Sequence, residues 1–156
     1  MLVLIIEDEK PAAEKLQKAL LTSNPAIKVQ EVVGSIQDAV NWLQQNPPPE
    51  IIFMDIELSD GLSFKIFEKT TISCPIIFTT AYDDYWQEAF EHNSIDYLLK
   101  PVKQEKLEAA LKKYDTIKQY FSANLTQLLQ HHDQPESRYK KRYLVKRGAD
   151  LIAVKT

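Results

Sequence analysis

Five short apolar runs recur through the first hundred residues, each followed by an amphipathic stretch, and this alternation limits the possible folds more than any other feature. The runs are Leu2–Ile6, Val29–Val33, Ile51–Met54, Ile76–Thr80 and Ile95–Leu99. Their length and mostly β-branched content suit strands buried on both faces of a parallel sheet. Between the first two runs, Lys10–Leu21 sets Ala13, Leu16, Ala19 and Leu20 on one helical stripe, and Pro11 suits the first turn. Gly34-Ser35 opens a second helix. Ser35-x-x-Asp38 has the form of a capping box, and Ala39, Trp42 and Leu43 face inward. Pro47, Pro48 and Pro49 end that helix, because proline donates no backbone hydrogen bond and disfavours a helical predecessor. Leu62–Lys69 and Asp84–His92 are read as the third and fourth helices. The expected fold is α/β: a (βα)5 doubly wound, parallel five-stranded sheet covered by helices on both faces.

From Val102 to Gln134 the chain has no glycine or proline. Leu107, Leu111, Tyr114, Phe121, Leu125 and Leu128 follow heptad-like steps, with Lys118 filling one slot. The first half of this stretch is a fifth helix packed on the sheet. The second half extends past what five strands can cover and is read as a linker helix or dimer seam. His131-His132-Asp133-Gln134-Pro135 reads as a hinge, since the histidine pair lacks further ligands at metal-binding spacing. Beyond it, Arg142–Lys146 and Leu151–Lys155 flank Gly148-Ala149-Asp150 like the arms of a hairpin. Charge shifts at the same place. Residues 1–137 carry 12 Lys/Arg against 21 Asp/Glu, whereas residues 138–156 carry 7 against 1. Two strands alone are marginal in water, so this basic tail is expected to open a second domain that the sequence truncates.

Hydrophobic residues make up 44% and charged residues 26%, enough apolar material for a core, which excludes a disordered chain. No apolar run approaches the roughly 20 residues of a transmembrane helix, and the N-terminus lacks the basic segment and cleavage site of a signal peptide. The single cysteine, Cys74, forms no internal disulfide, and a reducing, cytoplasmic setting is expected.

Ligands of an open parallel sheet sit outside the carboxyl ends of its strands. Here the first strand ends in Glu7-Asp8-Glu9, the third in Asp55, the fourth in Thr79-Thr80, and the fifth runs into Lys100-Pro101. Taken singly, Asp8 or Glu9 is explained by helix capping and Asp55 by a turn. Four strand ends bearing complementary groups are not. Two carboxylates about 4 Å apart repel by roughly 4 kcal/mol at an effective dielectric near 20. A divalent cation removes that cost, and an all-oxygen set with few protein ligands suits Mg²⁺. Asp55 is then placed to act as a nucleophile toward a phosphoryl donor, with the Thr80 hydroxyl and Lys100 neutralising developing charge.

Leu4-Ile5-Ile6-Glu7-Asp8-Glu9, Phe53-Met54-Asp55 with Asp60-Gly61, Thr79-Thr80-Ala81 and Tyr97-Leu98-Leu99-Lys100-Pro101 together resemble a response-regulator receiver domain, a flavodoxin-like fold. The resemblance covers residues 1–120. It implies that Asp55 accepts phosphate from a sensor histidine kinase, and that Asp8 and Asp55 bind Mg²⁺. Glu7 would join them directly or through water, and Glu57 through its backbone carbonyl. Thr80 and Tyr97 would form the switch pair, Lys100 would contact the phosphoryl group, and the Lys100–Pro101 peptide would be cis. Arg142-Tyr143-Leu144-Val145-Lys146-Arg147-Gly148 resembles the opening of a LytTR-type DNA-binding domain. The implied organisation is a receiver at 1–120, a linker at 121–137 that begins helical, and the truncated start of the DNA-binding domain at 138–156. The implied function is a two-component regulator of transcription. The protein would form a homodimer through its fourth and fifth helices, bind DNA only through the full-length C-terminal domain, and not act as an enzyme.

One departure stands out. The family often carries a Met-Pro pair and a longer loop between the acceptor aspartate and its glycine, whereas Ile56-Glu57-Leu58-Ser59-Asp60-Gly61 is short and proline-free. Glu57, two positions past Asp55, is expected to bring its side chain toward the site and repel water or the donor. Haloacid-dehalogenase-like phosphatases also place an acid two residues after an aspartyl nucleophile. They need a cap and a longer chain, for which 120 residues leave little room.

Overall fold

The computed structural model describes residues 1–130. The hinge, the basic hairpin and the LytTR-type segment all lie outside the described residues. The backbone forms two compact units, Met1–Leu111 and Lys112–Thr156. The strands are β1 (Leu2–Ile6), β2 (Lys28–Val33), β3 (Ile51–Asp55), β4 (Ile76–Thr80) and β5 (Ser94–Leu99). All five pair in parallel, in the order β2-β1-β3-β4-β5. The expected α/β architecture is therefore present, with strand boundaries within one residue of those read from the apolar runs.

Burial follows from position in the sheet. The central strands β1, β3 and β4 are buried almost throughout, whereas the edge strands β2 and β5 are only partly covered. Successive side chains of a strand point to opposite faces. On one face Leu4, Ile6, Ile52, Met54, Ile76 and Phe78 pack with Ile36, Ala39, Val40, Ile66 and Ala89 from the second to fourth helices. Val3, Ile5, Ile51, Phe53 and Ile77, equally buried, alternate with them. The β1-to-β2 connection puts helix α1 (Lys10–Ser23) over that second face, and the start of α5 (Gln104–Gln130) lies beside it. The Gln104 amide ties the two helices by donating to the Ala19 carbonyl at 3.0 Å and the Ser23 hydroxyl at 2.8 Å.

Helix α1 buries Ala13, Leu16 and Leu20, with Pro11 in its first turn. Helix α2 (Ile36–Gln45) starts as expected, with the Ser35 hydroxyl accepting from the Asp38 N–H at 3.0 Å. Helix α5 buries Leu107, Ala110 and Leu111, while Phe121 and Leu125 are exposed. The two halves of the heptad pattern thus differ in burial.

Two helices are shorter than their patterns predict. Of Leu62–Lys69, only Ile66–Lys69 is α-helical (α3), preceded by a 3₁₀ turn at Ser63–Lys65. The rest is taken by a small antiparallel ladder, Glu57–Leu58 against Gly61–Leu62. Its turn needs Gly61 at φ 136°, a conformation that favours glycine. The Ser63 N–H donates to the Ile56 carbonyl at 2.8 Å and closes the loop. Of Asp84–His92, only Trp86–Phe90 is helical (α4). Its flanks are held by tertiary partners instead: the Tyr85 N–H donates to the Tyr97 hydroxyl at 3.2 Å, and the Ser94 hydroxyl donates to the Ala89 carbonyl at 2.6 Å.

The short ladder also explains Asp60. Its carboxylate accepts from the Ile36 N–H at 2.9 Å and the Gln37 N–H at 3.3 Å, satisfying free donors at the start of α2. These bonds, the Ile36 one foremost, hold the Asp60 carboxyl below its ordinary pKa. A depressed carboxyl stabilises the fold above its unfolded-state pKa, and that contribution is lost as pH falls through the folded-state value. Asp60→Ala should therefore lower unfolding stability at neutral pH by about 1 kcal/mol, the usual scale of a lost helix cap. The gap between parent and variant should close as the pH drops below the ordinary aspartate range, which urea titrations across pH will measure.

Candidate functional site

Sheet register assembles the carboxyl-edge groups. Ile6 pairs with Met54, which brings Glu7 level with Asp55; Asp55 pairs with Thr79; and Thr80 pairs with Leu99, one residue before Lys100. Glu7, Asp8 and Asp55 each offer a carboxylate oxygen, all within 4.8 Å of one another. Glu7 and Asp55 are buried and Asp8 is exposed. Helix capping does not account for this cluster, because Glu9, the residue at the cap of α1, makes no side-chain cap bond. Asp55 does also serve its turn, accepting from the Glu57 N–H at 3.3 Å.

The Lys100 ammonium reaches back over the edge, 2.6 Å from Glu7 Oε1 and 2.9 Å from Asp55 Oδ2. Its peptide bond to Pro101 is cis. Burial works against the ammonium, but the bonds it donates to the Glu7 and Asp55 carboxylates outweigh it and hold Lys100 above the ordinary lysine pKa. Burial pushes the Glu7 carboxyl up, against the bonds from Lys100 and the Glu9 N–H. The two shifts have different causes, burial for Glu7 and its carboxylate partners for Lys100. By count, three carboxylates face a single ammonium here, an excess of acid groups. The donor set is hard, oxygen-only and exposed on the Asp8 side, so Glu7, Asp8 and Asp55 fit Mg²⁺. A groove of ≈ 770 Å³ runs beside the site, lined by Pro11, Lys15, Ala81, Lys100 and Gln104 among others.

Thr80 and Tyr97 meet on one backbone segment. The Thr80 side chain is fully buried, and its Oγ1 accepts from the Tyr82 N–H at 3.2 Å. The Tyr97 hydroxyl donates to the Tyr82 carbonyl at 2.7 Å. One peptide-length stretch after β4 is therefore held from both sides. The Glu57 side chain does not join the acid cluster as its position suggested. Its Oε2 accepts from the Tyr85 hydroxyl at 2.9 Å instead, and that bond, ahead of burial, pushes the Tyr85 phenol up to about 12. Sequence reasoning missed Asp60 and Tyr85 as parts of this edge. The Asp60-Gly61 pair was the only signal for the first; nothing local marks the second.

An edge of three acids, a lysine and a hydroxyl on a 2-1-3-4-5 parallel sheet is the arrangement of a receiver domain. The chain matches the response regulator receiver domain family over residues 3–112 and belongs to it. Among its relatives, sensory transduction protein LytT of Bacillus anthracis is 38% identical over 120 residues, 75% of this chain and 48% of that protein. Sensory transduction protein LytR of Staphylococcus epidermidis is 36% identical over 121 residues, 76% of this chain and 47% of that protein. The chain spans about half the length of the curated relatives it matches. The solved response regulatory domain of mrkE from Klebsiella pneumoniae superposes with a TM-score of 0.67 at 28% identity, covering 75% of this chain and 97% of that one. Among the described residues, no helix is long and apolar enough to cross a membrane.

The acid cluster leads to a direct test. Added Mg²⁺ should raise the thermal midpoint through binding linkage, with about 2.7 kcal/mol gained at a hundredfold excess over its dissociation constant. Most of that shift should vanish in Asp8→Ala. An equal shift in the variant, followed by calorimetry, would mean that the ion binds elsewhere.

Proposed function

We propose that this receiver takes a phosphoryl group from the phosphohistidine of a sensor histidine kinase onto Asp55, and that the resulting charge switches the segment between β4 and β5. The observation that carries this reading is the Lys100 ammonium, held by Glu7 and Asp55 beside a three-carboxylate cluster. An Asp55 oxygen bonds to phosphorus as the bond from phosphorus to the imidazole nitrogen breaks. The departing imidazole keeps that electron pair and takes up a proton. Glu7, Asp8, Asp55 and the Glu57 backbone carbonyl would hold Mg²⁺, which when bound would neutralise charge on the phosphoryl oxygens. Lys100, now bonded to Asp55, turns to the transferred group, and the Thr80 hydroxyl donates to it. Tyr97 and Thr80 bond to the two successive peptide groups that flank Tyr82, so movement of Thr80 is felt at Tyr97 and α4. The chain holds its phosphate rather than turning over substrate, with slow self-hydrolysis at most.

Incubation with an acyl phosphate and Mg²⁺ should add one phosphate by intact mass. The addition should disappear in Asp55→Asn. A variant that is still phosphorylated would refute the acceptor assignment.

The output reading extends the same proposal. From the resemblance of residues 142–148 to the opening of a LytTR-type domain, the receiver controls a C-terminal DNA-binding domain in the cytoplasm, and DNA is bound only by the full-length protein. A homodimer through α4 and α5 would pair two such domains on a two-fold site. Support comes from apolar exposure: Trp86 is 50%, Phe90 67%, Phe121 58% and Leu125 52% exposed. Leu111, at 7%, belongs to the core and is no probe of that face. Sedimentation with the phosphodonor should show a dimer on the order of tens of micromolar, weakened several-fold in Phe121→Lys. A parent that stays monomeric in every condition would remove the dimer from the scheme.

A further inference from the structure

Glu57 carries a fourth carboxylate two residues from Asp55, yet it is not among the acids whose oxygens cluster within 4.8 Å. What separates it is a contact across 28 residues of chain. The Tyr85 hydroxyl, at the entry to α4, donates to Glu57 Oε2 at 2.9 Å. The tyrosine is itself well held. Its N–H donates to the Tyr97 hydroxyl at 3.2 Å, and its ring lies edge-on to Phe64 with centroids 6.3 Å apart. The backbone of Glu57 remains at the site, with its N–H on Asp55 Oδ1 at 3.3 Å, so only the side chain is drawn away.

We propose that Tyr85 is a positioning residue whose hydroxyl holds the Glu57 carboxylate on the α4 side, away from the acid cluster and from an approaching anionic phosphodonor. The inference rests on the phosphoacceptor reading for its consequence, while its geometry is independent of it. A released Glu57 carboxylate, anchored by its backbone beside Asp55, would be free to approach Glu7, Asp8 and Asp55 whenever a cation there offsets their repulsion, and would add its charge to the field of the pocket. There it would attract a cation and repel an anion. Loss of the tether should therefore move the two affinities in opposite directions, whereas simple damage to the site would weaken both.

The experiment compares the parent with Tyr85→Phe, Glu57→Gln and the double variant. Phenylalanine keeps the ring against Phe64 and removes only the hydroxyl. Mg²⁺ affinity is read by isothermal titration, and the initial phosphorylation rate by intact mass with an acyl phosphate at saturating Mg²⁺. Tyr85→Phe should tighten Mg²⁺ by about three- to tenfold and slow phosphorylation by a similar factor, the scale of one added unit charge several ångströms away in a partly wet site. Glu57→Gln in the Tyr85→Phe background should reverse both changes. Glu57→Gln alone should match that double variant in both measurements, because without the carboxylate the Tyr85 hydroxyl has nothing to hold. Weaker Mg²⁺ binding in Tyr85→Phe, or no reversal in the double variant, would overturn the proposal. A parent that binds Mg²⁺ but takes no phosphate would fail the acceptor reading alone, and the Mg²⁺ titrations would still decide the role of Tyr85.

Discussion

The parallel pairing of β1 with β3 is the constraint on which the rest of this molecule depends. It sets Ile6 beside Met54, and so brings Glu7 and Asp8 to the level of Asp55. The strands are consecutive neither in sequence nor in the order of chain growth. Only the crossover through β2 and α2 lets them meet. Their pairing lines up carboxylates that repel one another, and burial of Leu4, Ile5, Ile6, Ile52, Phe53 and Met54 offsets that repulsion. Each such side chain contributes about 1.5–3 kcal/mol when taken from water. The apolar centre of the sheet stabilises what its polar edge strains.

Lys100 answers the strain only in part. One ammonium serves two buried acids, with Asp8 exposed beside them, and the surplus of carboxylates fits the edge to a divalent cation. The same imbalance leaves the ammonium strongly charged and close to Asp55, where a phosphoryl group would need it. Electrostatic preorganisation of this kind needs no large movement at the moment of transfer. Thr80 and Tyr97 are joined through the backbone of one residue, Tyr82, whose N–H donates to the first and whose carbonyl accepts from the second.

The shortened loop after Asp55 is a second economy. A ladder of two residues against two replaces a longer excursion, and Asp60 in its turn caps α2. The loop is thereby fixed at three places: to Asp55 through the Glu57 N–H, to α2 through Asp60, and to the entry of α4 through Glu57 and Tyr85. A loop so tied links Asp55 to both neighbouring helices.

The strands were legible in the sequence because runs buried on both faces must be continuously apolar, and β-branched residues mark them. Ser35, Pro11 and the three prolines were legible for the same reason, since capping and chain breaking are local. Glu7, Asp8, Asp55, Thr80 and Lys100 could be assigned to one edge because a parallel sheet puts all its carboxyl ends together, whereas Tyr97, inside β5, came only from the resemblance to receiver domains. The lengths of α3 and α4 were not legible. Leu62 found a partner in Glu57, and the Tyr85 N–H found one in the Tyr97 hydroxyl, so helical periodicity there lost to contacts from elsewhere in the chain. Nor could the sequence say where the Glu57 side chain points. Its spacing from Asp55 suggested the site, but a hydroxyl 28 residues away claimed it. Periodicity and strand ends follow from each segment's own chemistry; the choice of a distant hydrogen-bond partner follows only from the packing that brings the two together.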